Sequence, residues 1–219
     1  MTRFFVVIVV SLLFIGVSYA ILSLPQQAQG LSQAVYTEMG KSGVSNPVTA
    51  VLMNFRAYDT LLEMAVLFVA LIGVYSLSYI KKEANLRLQS SVLQRLGGIL
   101  VPFLLLLSVY LLWVGAHASG GAFQAGSMVS ASAILMFLSG WKFSLFPQHT
   151  FVRLLLSLSL IVFLFIAILT LYMSKELLLL PVKEASYFIF ILEAAATVSI
   201  GITLFNLFVA IFSQQKEKK

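Results

Sequence analysis

A chain of 219 residues that is 60% hydrophobic and 10% charged, with a mean hydropathy of +1.01, leaves no room for a soluble domain between its apolar runs. The absence of cysteine excludes thiolate-bound iron–sulfur clusters, cysteine-ligated zinc and thiol redox chemistry within the chain. The net charge of +6 is spread in clusters between the apolar runs and forms no basic face, which argues against nucleic-acid binding.

Apolar stretches near or above about 18 residues read as transmembrane helices. Six are expected, at about 4–24, 50–80, 97–116, 121–140, 152–174 and 185–212. The fold class is therefore all-α, a polytopic membrane protein with about six transmembrane helices. Arg3 and the stretch ending Ser18-Tyr19-Ala20 imitate a signal peptide, but the apolar run continues to Leu24 and favours a retained helix. With six spans, Arg3, Lys81, Lys82, Arg87, Arg95, Lys142, Arg153, Lys216, Lys218 and Lys219 fall on one side, and Lys41, Lys175 and Lys183 on the other. The positive-inside rule then places both termini in the cytoplasm.

Two modules are expected. Residues 1–95 hold helices one and two, followed by a polar, basic linker at 81–95. Residues 96–219 hold the other four helices. Leu86, Leu88, Val92 and Leu93 give the linker the pattern of a short amphipathic surface helix.

Helix two carries the most informative charges. At about 100° per residue, Asp59 lies about 60° and Glu63 about 20° from Arg56, so one stripe of a continuous helix would hold all three. Each charge near a bilayer centre costs about 2.5–3.5 kcal/mol on insertion scales, and must pair or meet water. Glu63 is the deepest, and is expected to handle a proton or cation, with Arg56 and Asp59 as its electrostatic partners. Glu193 stands alone in the last helix, with Thr197 one turn away as a possible hydrogen-bond donor, and is expected to act in ion handling or to pair with another subunit.

Residues 115–126, GAHASGGAFQAG, hold four glycines and break the helical pattern, as a short turn or as backbone lining a wet cavity. Ala122, Gly126 and Ser130 then repeat at four-residue spacing, a stripe suited to tight helix packing. His117 beside the break is a candidate proton relay or an ordinary interfacial histidine; without a second ligand at suitable spacing it is no metal site. Gly40-Lys41-Ser42 is not a phosphate loop, because Val35 occupies the place of the earlier glycine. No nucleophile–histidine–acid arrangement is visible, and neither an enzyme activity nor a cofactor is expected.

The run Phe55-Arg56-Ala57-Tyr58-Asp59-Thr60-Leu61, with Glu63 after it, resembles an FRAxDTLxE-like marker. That marker belongs to the C-terminal module of the large A subunit of Mrp-type multi-subunit cation/proton antiporters, a module that also stands as a separate E subunit in membrane-bound hydrogenases. Residues 96–213 resemble the B subunit of the same antiporters, through Pro102, the stretch from His117 to Gly126, and Pro181 followed by Glu193. Ser119 and Ala122 depart from the family pattern of proline and glycine at those places.

The resemblance implies a subunit of an ion-translocating hetero-oligomer in the cell inner (plasma) membrane, with other antiporter-complex membrane subunits as partners and sodium ions and protons as cargo. Asp59, Glu63 and, further along, Glu193 would line a candidate ion path. An energy-converting hydrogenase or complex-I-like respiratory complex, or a purely structural assembly role, is the alternative.

Overall fold

The computed structural model describes residues 2–24, 31–77, 90–141 and 149–217. Among the described residues the fold is all-helical, as expected. The linker expectation falls largely on residues 78–89, outside the described residues. Two compact units are present, Met1–Thr37 and Glu38–Lys219.

The first unit contains helix α1 (Thr2–Leu22) and most of a short helix α2 (Leu31–Glu38). Apolar side chains of α1 are exposed around the helix, among them Phe4, Leu13, Phe14 and Ile21. A helix apolar on all sides suits lipid or a neighbouring protein.

The second unit begins with a 3-10 turn (Met39–Lys41), helix α3 (Pro47–Ala50) and a π-turn (Val51–Phe55). Four long helices and one shorter helix follow: α4 (Ala57–Leu77), α5 (Ser91–Val114), α6 (Ala122–Leu138), α7 (Thr150–Ser174) and α8 (Ala185–Glu217). Stretches of α4, α5, α7 and α8 are long and apolar enough to cross a membrane; Val7–Leu22 of α1 and Ala122–Leu138 of α6 are shorter apolar helices. These six correspond to the six expected spans. Helix α5 starts at Ser91, ahead of the expected 97, because Ser90 caps it by accepting the Leu93 N–H at 3.4 Å.

Helix α8 is the centre of this unit, packing against α6, α7 and α4. Its Ile189, Leu192, Ala196, Ile200 and Phe205 are buried. The α6–α8 crossing is closed by glycines. A Cβ on Gly126 would lie 2.9 Å from the Ile200 Cβ, and one on Gly201 would lie 2.7 Å from the Val129 Cγ1. The Ala122, Gly126 and Ser130 stripe is buried against this crossing, so the spacing read in the sequence serves backbone approach.

The second helix is not continuous: it breaks at Arg56, yet Arg56, Asp59 and Glu63 still share one exposed side, as the single-stripe reading expects. The chain enters a π-turn at Val51, and Arg56 leaves it with φ −132° and ψ 37°, outside helical geometry. The Arg56 N–H reaches back five residues to Val51 O at 2.8 Å. Leu52 O, which a regular α-helix would give to Arg56, instead accepts the Thr60 hydroxyl at 2.5 Å. Such single-turn insertions into a helix often occur at functional sites.

Candidate functional site

Asn46 fixes the start of the segment that presents the charges. Its side-chain oxygen accepts the Val48 N–H at 3.0 Å, and Pro47 fills the first helical position of α3. The amide nitrogen of the same side chain donates to Gly115 O at 3.0 Å and Ala118 O at 2.6 Å. Thr49 donates its hydroxyl to Gly115 O at 2.6 Å, and the Ser45 and Asn46 N–H groups both point to Ala116 O. Residues 45–49 thus satisfy the carbonyls of Gly115, Ala116 and Ala118, at the C-cap of α5 and in the turn that follows it. Sequence reading missed this clamp, although Asn46-Pro47 is a recognisable helix-start signature.

Beyond the π-turn, Arg56 and Asp59 form an ion pair with N–O separation of 2.5 Å, and their side chains are 60% and 51% exposed. Glu63 lies one turn further along α4, also on the exposed side, and makes no ion pair with a described residue. Leu62, Val66 and Val69 share that exposure, while Thr60, Met64 and Leu71 face the core. The three charges therefore neighbour one another on the outer surface of the bundle, but only Arg56 and Asp59 touch. Neither carboxylate is buried by the chain itself.

Glu193 has the opposite setting. It is only 3% exposed, on the face of α8 that meets α6, and forms no ion pair or side-chain hydrogen bond with a described residue. The expected bond from Thr197 to its carboxylate is not formed. The Thr197 hydroxyl instead donates to the Glu193 main-chain carbonyl at 2.8 Å and approaches Ala122 O at 3.4 Å. A hydroxyl one turn along a helix reaches the i−4 carbonyl more readily than a side chain pointing back along the axis.

The carboxylate lies against the glycine-rich break. Gly115 to Gly121 form a tight turn between α5 and α6, in which the Gly121 N–H donates to Leu111 O at 3.0 Å. Gly121 has φ +116°, a conformation costly for other residues. A Cβ there would lie 3.1 Å from Glu193 Oε1 and 3.6 Å from Gln124 Oε1. The break is a turn, and its last glycine makes room for a buried acid. His117 sits on the exposed outer side of this turn, with its Nδ1 3.1 Å from the Ser45 hydroxyl. Among the described residues, no three of His, Cys, Asp and Glu come together in a way that could hold a metal ion.

Residues 1–91 match the MbhE family, described as the E subunit of MBH, and residues 92–212 match the domain related to the MnhB subunit of Na+/H+ antiporter. No curated protein matches the sequence significantly. Among solved structures, a chain of the membrane-bound sulfane sulfur reductase, an archaeal respiratory membrane complex, superposes with a TM-score of 0.70 at 22% identity, covering 96% of this chain and 98% of that one. A chain of the Mrp complex from Dietzia sp. DQ12-45-1b superposes with a TM-score of 0.65 at 18% identity. The match covers 96% of this chain and 26% of that one, so this chain spans about a quarter of its Dietzia counterpart. The two families lie end to end along one polypeptide, and the chain belongs to the family of domains related to the MnhB subunit of Na+/H+ antiporters, fused behind an MbhE module.

Proposed function

We propose that this chain is a non-catalytic membrane subunit of a multi-subunit monovalent cation/proton antiporter complex, with Na+ as the cation. Asp59 and Glu63 line the path where α4 meets a neighbouring subunit. One observation carries this reading: both carboxylates are exposed on a membrane-length helix whose neighbouring exposed residues are Leu62, Val66 and Val69. Lipid does not accept such groups, so that face needs a partner protein or a water-filled cavity. The π-turn before Ala57 and the Arg56–Asp59 pair fit a segment held out of regular geometry for a function. The complex resides in the plasma membrane, with both termini of this chain in the cytoplasm. Cation-dependent proton flux in vesicles bearing the assembled complex tests the reading.

The end-to-end fold match with a chain of a respiratory complex favours a second reading, in which the same subunit couples redox energy to ion movement. Isolation of the native complex separates the two. Co-purifying redox subunits with iron–sulfur centres support the second; a complex of ion-translocating membrane subunits alone supports the first.

A further inference from the structure

Helix α5 packs against α6 and, more slightly, α8, and turns its other side to the exterior of the second unit. From Leu96 to Val109 every exposed residue on that side is apolar, and Ile99, Phe103, Leu106 and Val109 stand out from it 60–73% exposed. The two ends of the face differ from its middle. Arg95 lies at one end, exposed and without an ion pair among the described residues. Tyr110 and Trp113 lie exposed at the other, with the Trp113 ring edge-on to Phe190 of α8 at a centroid distance of 6.0 Å. Tyr187, one turn before Phe190, is exposed as well. We propose that this face of α5 is a lipid-contact surface of the assembled complex, covered by phospholipid acyl chains between headgroup levels at Arg95 and Trp113.

Length, composition and contrast with α4 select lipid over a partner subunit. Arg95 and Trp113 are about 27 Å apart along the helix, at ~1.5 Å per residue, close to a hydrocarbon thickness of about 30 Å. A snorkelling guanidinium at one end of such a span and amphipathic aromatic rings at the other suit the two headgroup regions. Where this chain packs helix on helix, as at the α6–α8 crossing, Gly126 and Gly201 bring the backbones together. The exposed stripe of α5 is bulky instead, and offers a partner helix neither close approach nor a polar group to bond. The exposed side of α4 carries Arg56, Asp59 and Glu63 among its apolar residues, a mixture that lipid rejects. Pro102 disturbs the α5 face little. The donor it lacks would serve the Gly98 carbonyl, within one turn of Arg95, where water and headgroups reach.

Photolabelling of the purified intact complex in lipid nanodiscs tests this, whatever ion the complex moves. The discs hold phosphatidylethanolamine and phosphatidylglycerol, a fraction of them with a diazirine in the acyl chain, and adducts are mapped by peptide mass spectrometry. Adducts should fall on Ile99, Phe103, Leu106 and Val109 and be missing from the buried Val101 and Ser108 of the same helix. Leu106→Trp enlarges a side chain on that face, and should leave co-purification of every partner subunit unchanged. A complex labelled elsewhere but free of adducts on α5, or one that loses a partner subunit in Leu106→Trp, overturns the lipid assignment and makes the face a subunit contact. Adducts on α5 and equally on Leu62 and Val66 of α4 uphold the lipid face, and defeat instead the reading that a subunit covers α4.

Discussion

Asn46 and Gly115 join the two halves of the sequence through one side chain. The Asn46 amide donates to the Gly115 carbonyl at 3.0 Å, while its oxygen caps the helix leading to Arg56. The end of α5 and the start of the charged segment are thus set by the same residue. Asn46→Ala leaves the Val48 N–H and the carbonyls of Gly115 and Ala118 without this partner, at a cost of about 2–3 kcal/mol. Asn46→Asp keeps the cap but turns an acceptor toward two carbonyls. Thermal unfolding of the solubilised complex should show both variants destabilised, and the aspartate no better than the alanine. A wild-type midpoint for Asn46→Asp would mean that the cap alone matters.

The glycine crossing makes a second prediction. Gly126→Ala places a Cβ 2.9 Å from Ile200 Cβ and 3.0 Å from Thr197 O, so α6 and α8 must separate. Overpacking of this kind costs about 1–3 kcal/mol. Gly98→Ala on α5, where a Cβ meets nothing within 4 Å, is the matched control. Stability of the two variants in detergent should differ in that order, and equal stabilities would contradict the packing account.

Topology is accessible because the chain has no background thiol. Gln94→Cys in the first turn of α5 and Glu176→Cys after α7 are both at exposed positions. An impermeant thiol reagent added outside intact cells should label the second and spare the first. Labelling at position 94 from outside would reverse the orientation.

Much of this architecture was legible in the sequence, because long apolar runs admit few structures in a bilayer. The spacing of Ala122, Gly126 and Ser130 also identified the packing face of α6 correctly. What escaped the reading lay where local geometry departs from the regular helix. The helical spacing from Arg56 to Glu63 grouped the three charges, but nothing in it announced the π-turn that ends at Phe55, just ahead of them. Burial was equally hidden. Glu63 and Glu193 both sit in apolar helical runs, yet tertiary packing exposes the first and encloses the second. The clamp formed by Asn46 and Thr49 needed a partner about seventy residues away, which no local pattern names.

The central claim is that the exposed acidic face of α4 belongs to an ion path. Glu63→Gln preserves shape and hydrogen bonding but removes the titratable charge. Asp59→Asn leaves Arg56 to find water at a half-exposed position, and should impair less. The direct measurement is cation-dependent proton flux in membrane vesicles carrying the assembled Glu63→Gln complex, across a range of pH. Flux reduced on the order of a hundredfold, as expected when an acid–base group is removed, would bear the account out. Wild-type flux from an assembled complex would contradict it and leave the chain a structural role.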